Sequence, residues 1–205
     1  SKALRNYMKA IMSDECPWCV VSASTVGWAK RLFPELTDEE AYLKLWDQIL
    51  SACRAKGEDP VADWEKHISI LDEKAKFLHE NELVKLHITN ELGTDLYVGL
   101  PKGHIWQSAG SYAKKAARFV ANIPTEEVFT MPHKEQTSGI VYNAKPLNYS
   151  GVLIDNFWLK FEEGKVVDFG AERGYDVLKN LLDTDEGSRK IGEMALVPFD
   201  SPISN

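Results

Sequence analysis

Apolar residues at Leu4, Tyr7, Met8, Ile11 and Met12 recur at helical spacing, with Lys2, Arg5 and Lys9 between them. This predicts an amphipathic helix within Ser1 to Met12. The apolar run Trp18 to Ala23 predicts a short buried strand. A helix from about Thr25 to Phe33 should follow, stopped at Pro34. Thr37-Asp38-Glu39-Glu40 has the form of a capping box, in which hydroxyl and carboxylate satisfy each other's free amides. The helix it opens places Tyr42, Leu45, Trp46, Ile49, Leu50 and Cys53 on one face and ends at Gly57. Pro60 can begin the next helix without losing a needed amide. That helix is expected to bury Val61, Trp64, Ile68, Leu71, Ala75 and Leu78.

From Leu83 the period changes from helical to alternating. Val84, Leu86 and Ile88 share one strand face, and a turn at Asn90 to Gly93 leads into Leu96, Val98 and Leu100. The pair predicts a hairpin. A second hairpin carries Phe157, Leu159 and Phe161, turns at Glu163-Gly164 and returns through Val166 to Phe169. A helix over about Tyr175 to Leu182 precedes a last strand, Ile191 to Val197. A helical first half followed by a mainly antiparallel, β-rich second half predicts an α+β fold. Neither a repeat nor a Pro/Ser-rich linker interrupts the chain, so a single domain is expected over 1–205.

Charge narrows the function classes. The 205 residues carry a net charge of −7, which disfavours a broad nucleic-acid surface. No apolar run approaches the ~20 residues that span a bilayer, so no membrane partner is expected. Ser1 to Met12 lacks the form of a secretory signal. Three cysteines, an odd number in a chain this large, favour a reducing cytoplasm over a disulfide framework.

Two acidic positions hold the candidate chemistry. In Asn122-Ile123-Pro124-Thr125-Glu126-Glu127-Val128-Phe129-Thr130, adjacent carboxylates lead into a β-prone run. They read either as solvated acids at the start of an element or as one residue of the pair facing a site, since neighbours on a strand point oppositely. Glu193 alternates with Ile191, Ala195 and Val197. On a buried strand it would need a partner or a cation, and on an edge strand it would sit at the wet rim.

Other signals compete with these. Cys16-Pro17-Trp18-Cys19 has C-x-x-C spacing but precedes its strand, so burial as small hydrophobes is expected over a thiol redox pair. His67 falls beside its helix's apolar stripe and is read as a boundary residue. His79 and His133 lack partners at useful spacing, and His87 lies opposite the apolar face of its strand. His104 sits in a Gly-containing loop after a strand, as either a locally bonded residue or part of a cavity wall. Gly170 to Gly174 lacks a dinucleotide pattern.

Several longer stretches, in order, resemble the bacterial two-metal aminopeptidases of the thermophilic type, aminopeptidases S and T. They are Gly93 to Pro101, Asn122 to Thr130, Lys145-Pro146-Leu147, Asp185-Glu186-Gly187, Ile191 to Pro198, and Ser201-Pro202-Ile203-Ser204. The resemblance implies that Glu127 and Glu193 are metal ligands, with Glu193 bridging two ions, and that Glu193 and Glu126 serve catalysis. It also places His104 at the substrate cavity. Two divalent ions (zinc, cobalt, manganese or magnesium) would activate a water that hydrolyses the N-terminal bond of a peptide. Family members are about twice this length, and their remaining ligands lie beyond the Ser-Pro-Ile-Ser stretch. The resemblance therefore implies an internal portion of a cytoplasmic, homodimeric enzyme, inactive when isolated. The alternative from another class is a catalytically silent module kept for assembly or peptide binding.

Overall fold

Residues 4–114 and 118–204 are described by the computed structural model, and they divide into two units between which the chain passes repeatedly. The first takes its described residues from Ser1–Phe77, Gln107–Val128 and Leu196–Asn205, the second from Leu78–Trp106 and Phe129–Ala195. Lys2, part of the expected amphipathic segment, lies outside the described residues. The interleaving explains why no linker is visible: each unit closes only when segments distant in sequence return to it.

The helices are α1 (Arg5–Met12), α2 (Val26–Leu32), α3 (Asp38–Ala52), α4 (Pro60–Glu80) and α5 (Tyr175–Leu182). The strands before residue 121 are β1 (Val20–Val21), β2 (Lys85–Thr89), β3 (Asp95–Gly99), β4 (Gly110–Tyr112) and β5 (Arg118–Val120). After them come β6 (Asn122–Ile123), β7 (Val128–Thr130), β8 (Thr137–Tyr142), β9 (Leu147–Tyr149), β10 (Val152–Glu162), β11 (Lys165–Arg173) and β12 (Met194–Leu196). The architecture is α+β, with the antiparallel pairing expected of its second half.

In the first unit, the Thr37 hydroxyl accepts from the Glu40 amide at 3.3 Å, and the Glu40 carboxylate accepts from the Thr37 amide at 2.9 Å. The capping box read from sequence is therefore formed. Thr37→Ala is expected to cost about 1 kcal/mol, measured as a lowered denaturation midpoint; an unchanged midpoint would show that the box adds nothing. Ala41, Leu45 and Ile49 from α3 and Cys53, which caps it, join Ala29 of α2 in one core cluster. The predicted faces are right in outline and too broad: Leu50 is 40% and Val61 70% exposed. The strand read from Trp18 to Ala23 shrinks to β1, which pairs in parallel with β6 and leaves Val20 and Val21 exposed. A two-residue ladder offers no second layer to cover them.

The second unit is built on a sheet in the order β11-β10-β8-β3-β2, with β9 added to β10. Its two hairpins are those read from the alternating pattern, Leu86 facing Val98 and Ile88 facing Leu96 in one, Leu159 facing Phe169 in the other. Helix α5 packs on β10 and β11, and Leu178 and Leu182 join Leu96, Val98, Ile154, Phe161 and Val166 in the core. Gly139 must be glycine for a local reason. Its φ is 113°, and an added Cβ would fall 2.1 Å from the Asp95 carbonyl oxygen.

Candidate functional site

Helix α3 ends in a Schellman motif. The Ala55 amide donates to the Leu50 carbonyl at 2.8 Å and the Arg54 amide to the Ser51 carbonyl at 3.1 Å. Arg54 holds the left-handed position of that motif, with φ 52°, where glycine is the usual residue because it has no Cβ to clash. Its guanidinium meets Glu126 with both prongs: Nε donates to Oε1 and Nη2 to Oε2, each at 2.8 Å. Glu126 is 2% exposed. A carboxylate so buried is tolerable only when paired, and the planar fork of arginine is the geometry that matches it.

From the next helix, α4, His67 reaches the same segment. Its Nε2 lies 2.8 Å from the Thr125 carbonyl oxygen and 3.4 Å from Glu126 Oε1. A carbonyl accepts only, so Nε2 carries the proton and donates. The ring is held edge-on by Trp64 at 5.4 Å between centroids, and Trp64 Nε1 donates to the Cys53 carbonyl at 2.8 Å. The contacts close a circuit from Cys53 and Arg54 through Glu126 and Thr125 to His67, Trp64 and back. Burial alone would raise the Glu126 pKa; the hydrogen bond from Arg54, the electrostatic effect of His67, the hydrogen bond from Ser201 and the charge of Arg54 together outweigh it and hold the carboxyl below its ordinary value. This is a fixed buried anion with both oxygens engaged, ill suited to take a proton from a water.

Glu127 is half-buried and immediately precedes β7, in the first unit. Glu193 is exposed and immediately precedes β12, in the second unit. The strand expected over Ile191 to Val197 is confined to Met194–Leu196. Its partner β7 has three residues, so the ladder cannot extend to Glu193, and the alternation that put this carboxylate on a strand does not apply. Among the described residues, no group of three or more His, Cys, Asp or Glu side chains is placed to hold a metal ion. Glu127 and Glu193 nonetheless fit such an ion in kind, since carboxylate oxygens suit divalent cations from magnesium to zinc.

His104 bonds locally, its Nδ1 lying 3.0 Å from the Pro101 carbonyl oxygen. Among the described residues, its Nε2 and the indole N–H of Trp106 are buried without a hydrogen-bond partner. The ring borders a cleft of ≈ 550 Å³ in the second unit, with His79, Leu83, Leu100, Pro101 and Lys102. Cys16 and Cys19 are exposed free thiols, contrary to the expected burial; only Cys53 is buried. Burial pushes the Cys53 thiol up. The short β1 explains the error, because no layer covers the segment that was read as a core strand.

His67 was missed as a site residue and is 6% exposed. The signal was present: His67, Leu71 and Ala75 follow at i, i+4 and i+8 and are the three buried residues of α4. Arg54 had no local signal, since its partner lies 72 residues away.

A family model described as thermophilic metalloprotease (M29) matches residues 1–205. Aminopeptidase AmpS of Bacillus subtilis is 48% identical over 203 residues, 99% of this chain and 49% of the relative. Aminopeptidase T of Thermus aquaticus is 48% identical over 204 residues, 100% of this chain and 50% of the relative. The chain thus spans about half the length of the curated relatives it matches. The structure of wild-type AmpT from Thermus thermophilus superposes with a TM-score of 0.90 at 41% identity, covering 99% of this chain and 49% of that one. A 2,5-dihydroxypyridine dioxygenase from Pseudomonas putida KT2440, at TM-score 0.52 and 16% identity, shares the fold alone.

Proposed function

The chain belongs to the thermophilic metalloprotease (M29) family, and from that premise we propose that it is a portion of a metal-dependent aminopeptidase in which Glu127 and Glu193 serve as metal ligands. The observation that carries the reading is the family match along the whole chain, together with relatives named as aminopeptidases. Peptides with a free N-terminus are the substrates. Two divalent ions, when bound, supply an activated water and a polarised carbonyl.

The chain's own residues divide the remaining work. Glu127 and Glu193 hold the ions through carboxylate oxygens. Glu193 is also the candidate for passing a proton to the leaving amine. Glu126, expected in catalysis, is assigned to positioning instead, because Arg54 occupies both of its oxygens. His104 borders the cleft of the second unit and is kept as a candidate for substrate contact there.

Two carboxylates are a small ligand set for a divalent ion, so these 205 residues by themselves are expected to bind metal weakly and to turn over no peptide. The reading includes a homodimer for the full-length protein and a reducing cytoplasm as its compartment. The odd count of three cysteines in a chain this large supports the latter. No helix among the described residues is long and apolar enough to cross a membrane.

The test is hydrolysis of a chromogenic aminoacyl anilide and of a peptide by the full-length protein. Chelation should abolish cleavage, one or more of zinc, cobalt, manganese and magnesium should restore it, and an N-acetylated peptide should stay intact. A metal-loaded protein that cuts neither substrate would leave the silent assembly module as the reading.

A further inference from the structure

We propose that Arg54 and His67 are positioning residues for the metal centre: from two helices they lock Thr125 and Glu126, and so fix the backbone that carries Glu127. The inference rests on the reading of Glu127 as a metal ligand and adds to it the groups that hold that ligand's segment in place. Neither Arg54 nor His67 needs to touch an ion or a peptide for this.

Three features support it. Arg54 occupies a left-handed helix-ending position, with φ 52°, that any side chain other than glycine fills at a cost. What arginine gains there is the two-pronged contact with Glu126, each prong at 2.8 Å. A lysine offers a point charge without the fork. Next, the His67 donor is spent on a main-chain oxygen, that of Thr125, at 2.8 Å. Clamping a carbonyl fixes the peptide plane that joins Thr125 to Glu126. Finally, the two clamps are linked to each other, since Trp64 stacks edge-on against His67 and donates to the carbonyl of Cys53, the residue before Arg54.

The consequence for Glu127 follows from covalent geometry. With the Thr125 carbonyl and the Glu126 side chain both held, the Cα of Glu127 is one rigid peptide, about 3.8 Å, from a fixed point. A ligand on such a backbone is placed before the ion arrives. One on a free loop must be ordered at the moment of binding, which weakens affinity. Partners that orient ligands in this way typically change metal affinity or activity by roughly 10–100-fold when removed.

The experiment uses the full-length protein loaded with cobalt(II). Metal affinity is read by competition with a chromophoric chelator, and ligand geometry by the visible absorption of the bound ion. Arg54→Lys and His67→Phe are each expected to weaken cobalt by roughly 10–100-fold, to alter the absorption bands and to lower kcat with KM little changed. Glu127→Gln serves as reference and should weaken the metal more. If Glu127→Gln binds cobalt as the parent does, the ligand assignment itself fails. If it weakens cobalt while Arg54→Lys and His67→Phe bind it normally with unaltered spectra, the positioning role is overturned and the assignment stands. Where Arg54→Lys or His67→Phe fails to fold, Arg54→Gln and His67→Leu, which also remove the fork and the ring donor, take its place, and parental cobalt affinity with unaltered spectra would overturn the inference equally.

Discussion

Glu193→Gln in the full-length protein is expected to lower turnover on the order of a thousandfold while leaving the fold intact. The change removes one charge and keeps the shape, at an exposed residue immediately before β12. Substitutions at such sites alter stability by about 0.5 kcal/mol or less. A neutral amide is a poorer ligand than a carboxylate. A bound ion supplies several kcal/mol of transition-state stabilisation, and each 1.36 kcal/mol or so is a factor of ten in rate, so losing its placement translates into roughly three decades. Steady-state kinetics on the metal-loaded variant, beside its thermal unfolding, decide the matter. Preserved turnover would remove Glu193 from the mechanism.

The second large effect concerns stability. Arg54→Ala leaves the Glu126 carboxylate, 1% exposed at its side chain, without its main partner. Breaking a buried pair from one side typically costs about 3–5 kcal/mol, because the remaining charge stays desolvated. Arg54 itself is 30% exposed, which sets the expectation at the lower end. The left-handed backbone gives the prediction a second, independent part. Arg54→Gly loses the same ion pair but relieves the Cβ clash, worth roughly 1 kcal/mol. Denaturant midpoints should therefore rank the parent first, Arg54→Gly second and Arg54→Ala last. Equal midpoints for all three would mean that the pair contributes nothing to stability, and an alanine variant above the glycine variant would refute the backbone account.

The contrast between these two glutamates shows where reading the chain succeeds. Glu193 stands out first by its alternation along an apolar run, and the resemblance to a family gives it a metal role. Its alternation with Ile191 and Ala195 turned out to be irrelevant, since β12 begins one residue later. Glu126 and Glu127 stand side by side in the sequence, and spacing could say only that they face different surroundings. It could not say which of them would be sealed in. That choice fell to Arg54 and His67, one from the end of α3 and the other from within α4.

Local physics settled much of the rest. The capping box at Thr37, the start of α4 at Pro60, both hairpins and α5 over Tyr175–Leu182 follow from hydrogen-bonding and periodicity rules that act over a few residues. For the same reason, the α+β class was legible from the change in period near Leu83. Burial was not, wherever it depended on a covering layer. Val20, Val21 and the two nearby cysteines look like core in a one-dimensional pattern, and they are exposed because β1 is two residues long and pairs only with β6. The interleaved units were invisible too, because contacts between distant segments leave no linker to find. Secondary structure is encoded by neighbours and can be read along the chain. Which carboxylate is clamped depends on groups 58 to 72 residues apart, and only their meeting in three dimensions decides it.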